Sequence, residues 1–232
     1  MKRASAVFSA LFLLSASAAF PQGNFLKKGQ YGLGLSGAYA TNSSASGYSG
    51  TAGVALGGIF DLSFGAGHAV FDSAEFGDLT SNFLKPELRA HVIKQNSSTS
   101  PVSLSLSIGY AKDDFASPEL EPADIGAMWT SSFILGATVY RDVPLSGRLY
   151  LQPYVGVSHT STTFKVTVES TGATWSDKDG LAAFLVGLPV VYSFSERALL
   201  VLEPGLTFDK DATTFAVSLG LVYAFNKAPS GE

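Results

Sequence analysis

Lys85, Glu87, Arg89 and His91 recur at every second position of one stretch, alternating with Leu84, Pro86, Leu88, Ala90 and Val92. A period of two sends successive side chains to opposite faces of an extended strand. One face of this segment is therefore fully ionisable and the other apolar. Such a row can serve as a narrow gate or ion path. It can equally form an internal plug of ion pairs, because charges withdrawn from water must be paired. Glu203 falls on the same side of a later strand and joins the set.

A second group is His159-Thr160-Ser161 with Glu169 in the segment that follows. A hydroxyl, an imidazole and a carboxylate are the types needed for a nucleophile, its base and the group that orients the base. His159 and Ser161 share the parity of Leu149, Leu151, Val155 and Val157, which places both on the apolar face of their strand. Two acidic clusters, Asp177-Lys178-Asp179 and the stretch 119–124, lack the spaced oxygens of a calcium loop. No metal and no cofactor is expected.

The elements that position these residues are strands. The last one, 213–226, shows the pattern most fully: Phe215, Val217, Leu219, Leu221, Tyr223 and Phe225 on one face, with Thr214, Ala216, Ser218, Gly220 and Ala224 on the other. The second face carries small groups rather than charges, which suits a wall with lipid outside and a narrow interior. Earlier segments repeat the alternation at 31–40, 51–60, 63–71, 82–93, 102–112, 129–141, 148–161, 181–193 and 199–208. A tight turn is expected at Asp61 and a bulge at Pro86, which has no N–H to give a ladder. Four ionisable groups cannot face hydrocarbon, where a charge at the midplane costs about 2–4 kcal/mol. Residues 85–91 must therefore face the lumen.

These segments predict an all-β fold: a closed antiparallel up-and-down transmembrane β-barrel of ten strands, with eight as the alternative. With the N-terminus periplasmic, the outer loops are 41–50, 72–81, 113–128, 167–180 and 209–212, most of them longer than any inner turn. Tyr31, Phe60, Trp129, Tyr192, Tyr223 and Phe225 cluster near strand ends, as interfacial aromatic girdles do.

Address and composition agree with this architecture. Lys2 and Arg3, an apolar run over 6–14 and Ala16-Ser17-Ala18 form the layout of a cleaved signal peptide over 1–18. Residues 19–28 are then a periplasmic lead, 29–226 the barrel and 227–232 a tail. Loss of the leader takes 15 Lys/Arg to 13 against 19 Asp/Glu. An acidic chain without a basic run excludes nucleic acid as a partner. There is no Cys, which excludes disulfides and thiolate metal sites.

The leader, the ten alternating repeats and the terminal Gly220-Leu221-Val222-Tyr223-Ala224-Phe225 resemble the small outer-membrane β-barrel proteins, the OmpA and OmpX barrels among them. The resemblance implies integral residence in a Gram-negative outer membrane as a monomer in contact with its lipid. It also implies delivery by the barrel assembly machinery, with Phe225 as the terminal signal. The implied roles are structural or narrow-pore, with surface loops that contact partners. His159-Thr160-Ser161 resembles the His-x-Ser motif of an outer-membrane lipid A deacylase, in which Asn follows where this chain has Thr162. That motif makes a lipid A-modifying hydrolase using His159 and Ser161 one alternative role; a separate alternative is a soluble secreted lipocalin-like binder of apolar ligands. The last would need apolar groups inside and polar ones outside.

Overall fold

The computed structural model describes residues 22–227 apart from 74–76, 97–98, 119 and 121–122. The expected leader and most of the tail lie outside the described residues. A four-residue helix, α1 (Gln22–Phe25), precedes thirteen strand segments. These are β1 (Gly32–Thr41), β2 (Ala45–Leu56), β3 (Phe60–Ser73), β4 (Gly77–Ile93), β5 (Ser103–Ala116), β6 (Ile125–Tyr140) and β7 (Val143–Pro144), then β8 (Leu149–Leu151), β9 (Tyr154–Val168), β10 (Thr174–Gly187), β11 (Val190–Ser193), β12 (Ala198–Phe208) and β13 (Thr213–Ala224). No described helix is long and apolar enough to cross a membrane.

The thirteen segments make ten staves, with β7 continuing β6 beyond residues 141–142. Pro153 interrupts the stave of β8 and β9, and Pro189 that of β10 and β11, because neither residue can donate to a ladder. Each stave pairs antiparallel with its neighbours, and β10 joins β12. β1 and β13 are aligned from Gly32↔Ala224 to Thr41↔Phe215, so the first stave meets the last and the sheet closes. Closure removes the unpaired edge that an open sheet would present.

The two described ends of the chain and the connections from β2 to β3, β4 to β5 and β11 to β12 lie at one end, here the near end. The connections 42–44, 117–124, 169–173 and 209–212 lie at the far end. Every stave is polarised across its thickness. Leu33 and Leu35 on β1, Phe64 on β3, Leu88 on β4, Ile108 on β5, Phe133 on β6, Val157 on β9 and Leu221 on β13 all face outward and are exposed. Their in-between neighbours face a lumen that contains Lys85, Glu87, His91, Asp113 and Gln152 in buried positions. A lipocalin-like wall would have the reverse order. An apolar exterior on a fully hydrogen-bonded wall is what a bilayer accepts. Tyr31, Phe60, Tyr192, Tyr223 and Phe225 ring the outer wall at the near end.

Three features differ from the sequence expectations. Asp61 is not in a turn: the chain reverses at 57–59, where Gly57 and Gly58 take φ of 63° and 60°. Asp61 is the second residue of β3 and faces the lumen. The bulge of β4 falls between His91 and Ile93 rather than at Pro86, since Leu84↔Lys112 and Glu87↔Gly109 keep one register across the proline. Pro86 lies on the outer face, aligned with Phe64 of β3. The far-end loops are shorter than expected because the strands continue into them. β2 begins at Ala45, β5 runs to Ala116 and β10 begins at Thr174. Ser, Thr and Gly segments can pair above the apolar belt, where water solvates both faces of the ladder.

Candidate functional site

The lumen of the near half holds a dense set of buried polar and charged side chains. Alternation on β4 aims Lys85, Glu87, Arg89 and His91 inward from one strand, about 6.6 Å apart at each second residue. Glu87 takes both neighbours: its Oε2 lies 3.1 Å from Lys85 Nζ and its Oε1 accepts from Arg89 Nη2 at 2.8 Å. One carboxylate thus serves two cations on its own strand. Lys85 is 3% and Glu87 6% exposed, so this set is screened by protein and not by water.

His91 ends the row. Its Nε2 lies 2.9 Å from Asp61 Oδ2 on β3, and its Nδ1 lies 3.0 Å from the Tyr140 hydroxyl at the end of β6. The neutral tautomer that carries its proton on Nε2 satisfies both contacts: the imidazole donates to Asp61 and accepts from Tyr140. The imidazole and phenol rings meet edge to face at 6.2 Å. Glu203 on β12 accepts from the Tyr154 hydroxyl at 2.9 Å. The five lumen residues singled out in the sequence therefore share one compartment, but their partners divide. Lys85, Glu87 and Arg89 form one ladder, His91 belongs with Asp61 and Tyr140, and Glu203 with Tyr154.

The near mouth is filled by the lead. Phe25 and Leu26 pack against Ala55, Val191, Val201, Val222 and Ala224, all on the inner wall. Polar contacts fix the lead's backbone: Gln152 Nε2 donates to the Asn24 carbonyl at 3.0 Å and Lys94 Nζ to the Leu26 carbonyl at 3.0 Å. Gln152 also donates to Asp142 Oδ1 at 2.7 Å and has no solvent exposure. Burial at this end, outside the spanning segments, pushes the Lys94 ammonium down to about 8 against the pull of Asp61 and Asp142. It also raises the Asp142 carboxyl. The far half of the lumen is closed by apolar groups, with Phe71, Leu79, Phe115 and Met128 in one buried cluster. Below this cluster, Asp113 accepts from Thr130 at 3.0 Å.

Sequence reasoning missed Asp61, Tyr140, Tyr154, Asp113 and the docked lead. Asp61 was legible in principle, since Phe60, Leu62 and Phe64 alternate with Asp61 and Ser63. The tyrosines find their partners only through the stagger of staves far apart in sequence.

The second group stands elsewhere. His159 and Ser161 face outward from β9, with Leu135 and Ala182 directly beside His159. Glu169 is exposed in the far-end turn, its N–H bonded to the Asp124 carbonyl at 2.9 Å. Ten residues of strand, about 33 Å of extended chain, separate it from His159, so Glu169 does not reach the imidazole. Among the described residues His159 makes no side-chain hydrogen bond to either one. No group of three or more His, Asp or Glu side chains among the described residues is placed to hold a metal.

The same wall and closure recur in solved structures. The translocator domain of the autotransporter NalP from Neisseria meningitidis aligns with a TM-score of 0.61 at 13% identity, over 96% of this chain and 97% of that one. This chain has the fold of the outer-membrane β-barrels. The β domain of the Bordetella autotransporter BrkA aligns with a TM-score of 0.52 at 12% identity, over 86% of this chain and 100% of that one. Ail, the attachment invasion locus protein of Yersinia pestis, aligns at 10% identity with a TM-score of 0.42, over 86% and 100%. No family model matches the chain, and no curated protein sequence matches it. The ten-stave count of this barrel follows from its own pairings and replaces the eight-strand alternative.

Proposed function

We propose that the chain is an integral outer-membrane protein whose barrel is closed at rest and acts as a structural support for its far-end strands and loops. The observation that carries this reading is the state of the lumen. Lys85, Glu87, His91, Tyr140 and Gln152 are each 6% exposed or less, Lys85 and Glu87 pair with each other, and His91 bonds to Tyr140 and Asp61. A conducting pore needs a continuous wetted path, and both mouths here are occupied by packed side chains. The near mouth is held by Phe25 and Leu26 of the lead, the far one by Phe71, Leu79, Phe115 and Met128.

On this reading the far-end strands are the working surface. The β9–β10 hairpin carries Trp175, Asp177, Lys178 and Asp179, all exposed. These residues are the place for contact with a partner outside the cell. Residence in the membrane would begin with the last stave. Phe225 stands at the end of β13, exposed on the outer wall, with its N–H bonded to the Tyr31 carbonyl at 2.7 Å. It is the residue we assign to engagement of the assembly machinery. The hydrolase alternative draws no support from the placement of Glu169.

Planar-bilayer recording of the purified full chain tests the proposal. The expected trace is silent at moderate voltage. A steady, reproducible unitary conductance would overturn the closed-barrel reading and favour the narrow pore.

A further inference from the structure

Outward-facing cations beyond the apolar belt gather on one side of the far end. The outer row of β5 reads Leu104, Leu106, Ile108 and Tyr110, then Lys112 and Asp114. That of β6 reads Val139, Ala137, Leu135 and Phe133, then Ser131 and Trp129. Trp129 is aligned with Asp114 of β5 and with Lys165 of β9. Lys165 Nζ lies 4.7 Å and Lys112 Nζ 5.8 Å from the centre of the Trp129 ring. Lys178 of β10 is aligned with Thr163, hence diagonal to Lys165, which is aligned with Ser176. Diagonal neighbours of this kind lie about 7–8 Å apart.

We propose that Lys112, Trp129, Lys165 and Lys178 form a site on the outer wall for the phosphate of a lipid headgroup. The patch faces sideways, in the plane of the bilayer, immediately beyond residues that can meet only hydrocarbon. What lies beside it in a membrane is a lipid headgroup, so the position selects the class of occupant. Charge selects the chemistry. The whole chain carries a net charge of −4, yet the outward face here brings together three ammonium groups with Asp114 as the one carboxylate, since Asp177 and Asp179 fall on the opposite parity of β10. Asp114 pairs with Lys112 at 3.1 Å and leaves Lys165 and Lys178 in excess. Among the described residues, the other Lys and Arg lie in the lumen, at the near end, or, for Lys210, in the 209–212 loop beside Asp211. The indole face holds two of the ammonium groups by cation–π attraction and gives sugar or acyl carbons a flat surface. Lysine binds phosphate as a point charge and needs no fixed fork, which suits a headgroup that rotates.

The test uses the refolded full chain in vesicles of phosphatidylcholine doped with lipid A, and counts retained lipid by native mass spectrometry. Lipid A with both phosphates should be retained, and its dephosphorylated form about tenfold less. The triple variant Lys112→Gln, Lys165→Gln, Lys178→Gln should lose about tenfold in retention, while the triple Lys→Arg variant keeps it. Heat-modifiable gel mobility establishes that each variant folds, and Lys165→Gln with Lys178→Gln alone replaces the triple should the triple fail to fold. Equal retention by wild type and the Gln variants overturns the site. Equal retention of the two lipid A forms overturns phosphate as the recognised group. Displacement of lipid A by millimolar inorganic phosphate overturns the lipid headgroup in favour of a free-phosphate site.

Discussion

His91 and Asp61, thirty residues apart on neighbouring strands, meet at 2.9 Å with neither side chain more than 2% exposed. The pair ties β3 to β4 inside the wall, and Tyr140 completes it from β6. Asp61→Ala leaves the imidazole N–H buried without its acceptor, which costs about 1–3 kcal/mol. The expected result is a lower urea midpoint for unfolding from lipid vesicles. Asp61→Asn keeps an acceptor oxygen and loses less, and equal loss from both variants would assign the effect to something other than this bond.

The ladder on β4 predicts a sharp asymmetry between breaking it and erasing it. Glu87→Ala leaves Lys85 and Arg89 inside the wall without their shared partner, at a cost of about 3–5 kcal/mol. The triple replacement Lys85→Met, Glu87→Leu, Arg89→Met removes all three charges together and should lie close to wild type in stability. Chemical unfolding followed by tryptophan fluorescence checks both. A triple variant as damaged as Glu87→Ala would show that the ladder stabilises the barrel in its own right.

Docking of the lead also needs a glycine at 58. Gly58 has a positive φ, and a Cβ there would collide with the Lys27 carbonyl. Gly58→Ala therefore strains the turn by more than about 1 kcal/mol and pushes the lead out of the near mouth. Proteolysis within 22–30 should accelerate while the barrel stays resistant. An unchanged digestion pattern would place the lead's anchorage elsewhere.

The same docking should depend on pH. Lys94 holds its proton to about 8 when the lead covers it, against its ordinary 10.5. Between these values the undocked state carries a proton that the docked state has lost, so docking strengthens as pH rises through the window. Below about 8 the cost of burying the charge is constant. A spin label on Lys28→Cys should become less mobile from pH 8 to 10.5, and Lys94→Met should abolish the trend. Constant mobility in the otherwise native chain would contradict the assignment.

The wall was largely legible in the sequence because one physical rule governs every stave. Leu219 and Leu221 must meet hydrocarbon while Ser218 and Gly220 line a narrow interior, and a period of two records that in one dimension. The row Lys85 to His91 was legible for the same reason, since charge on one parity has only the lumen to face. Asp61 was harder, because Gly57-Gly58 and Asp61 are competing turn signals and only Leu62 and Phe64 settle the parity. Phe25 and Leu26 were not legible as a plug: two apolar residues set no period, and their receptor surface is spread over Ala55, Val191, Val201 and Val222. Nor could parity show that Glu169 stands a strand's length from His159, because the polar segment between them reads equally well as loop.

The native chain has no Cys, so single substitutions can report on each face of β13 without interference. Nitroxide labels on Leu219→Cys and Ser218→Cys, read for collision with oxygen and with a water-soluble nickel chelate in lipid vesicles, test the central claim directly. The account predicts high oxygen and low nickel collision at 219, and low collision with both at 218, where the interior is filled. Nickel access at 219 would contradict a lipid-facing wall, and nickel access at 218 would contradict a closed lumen.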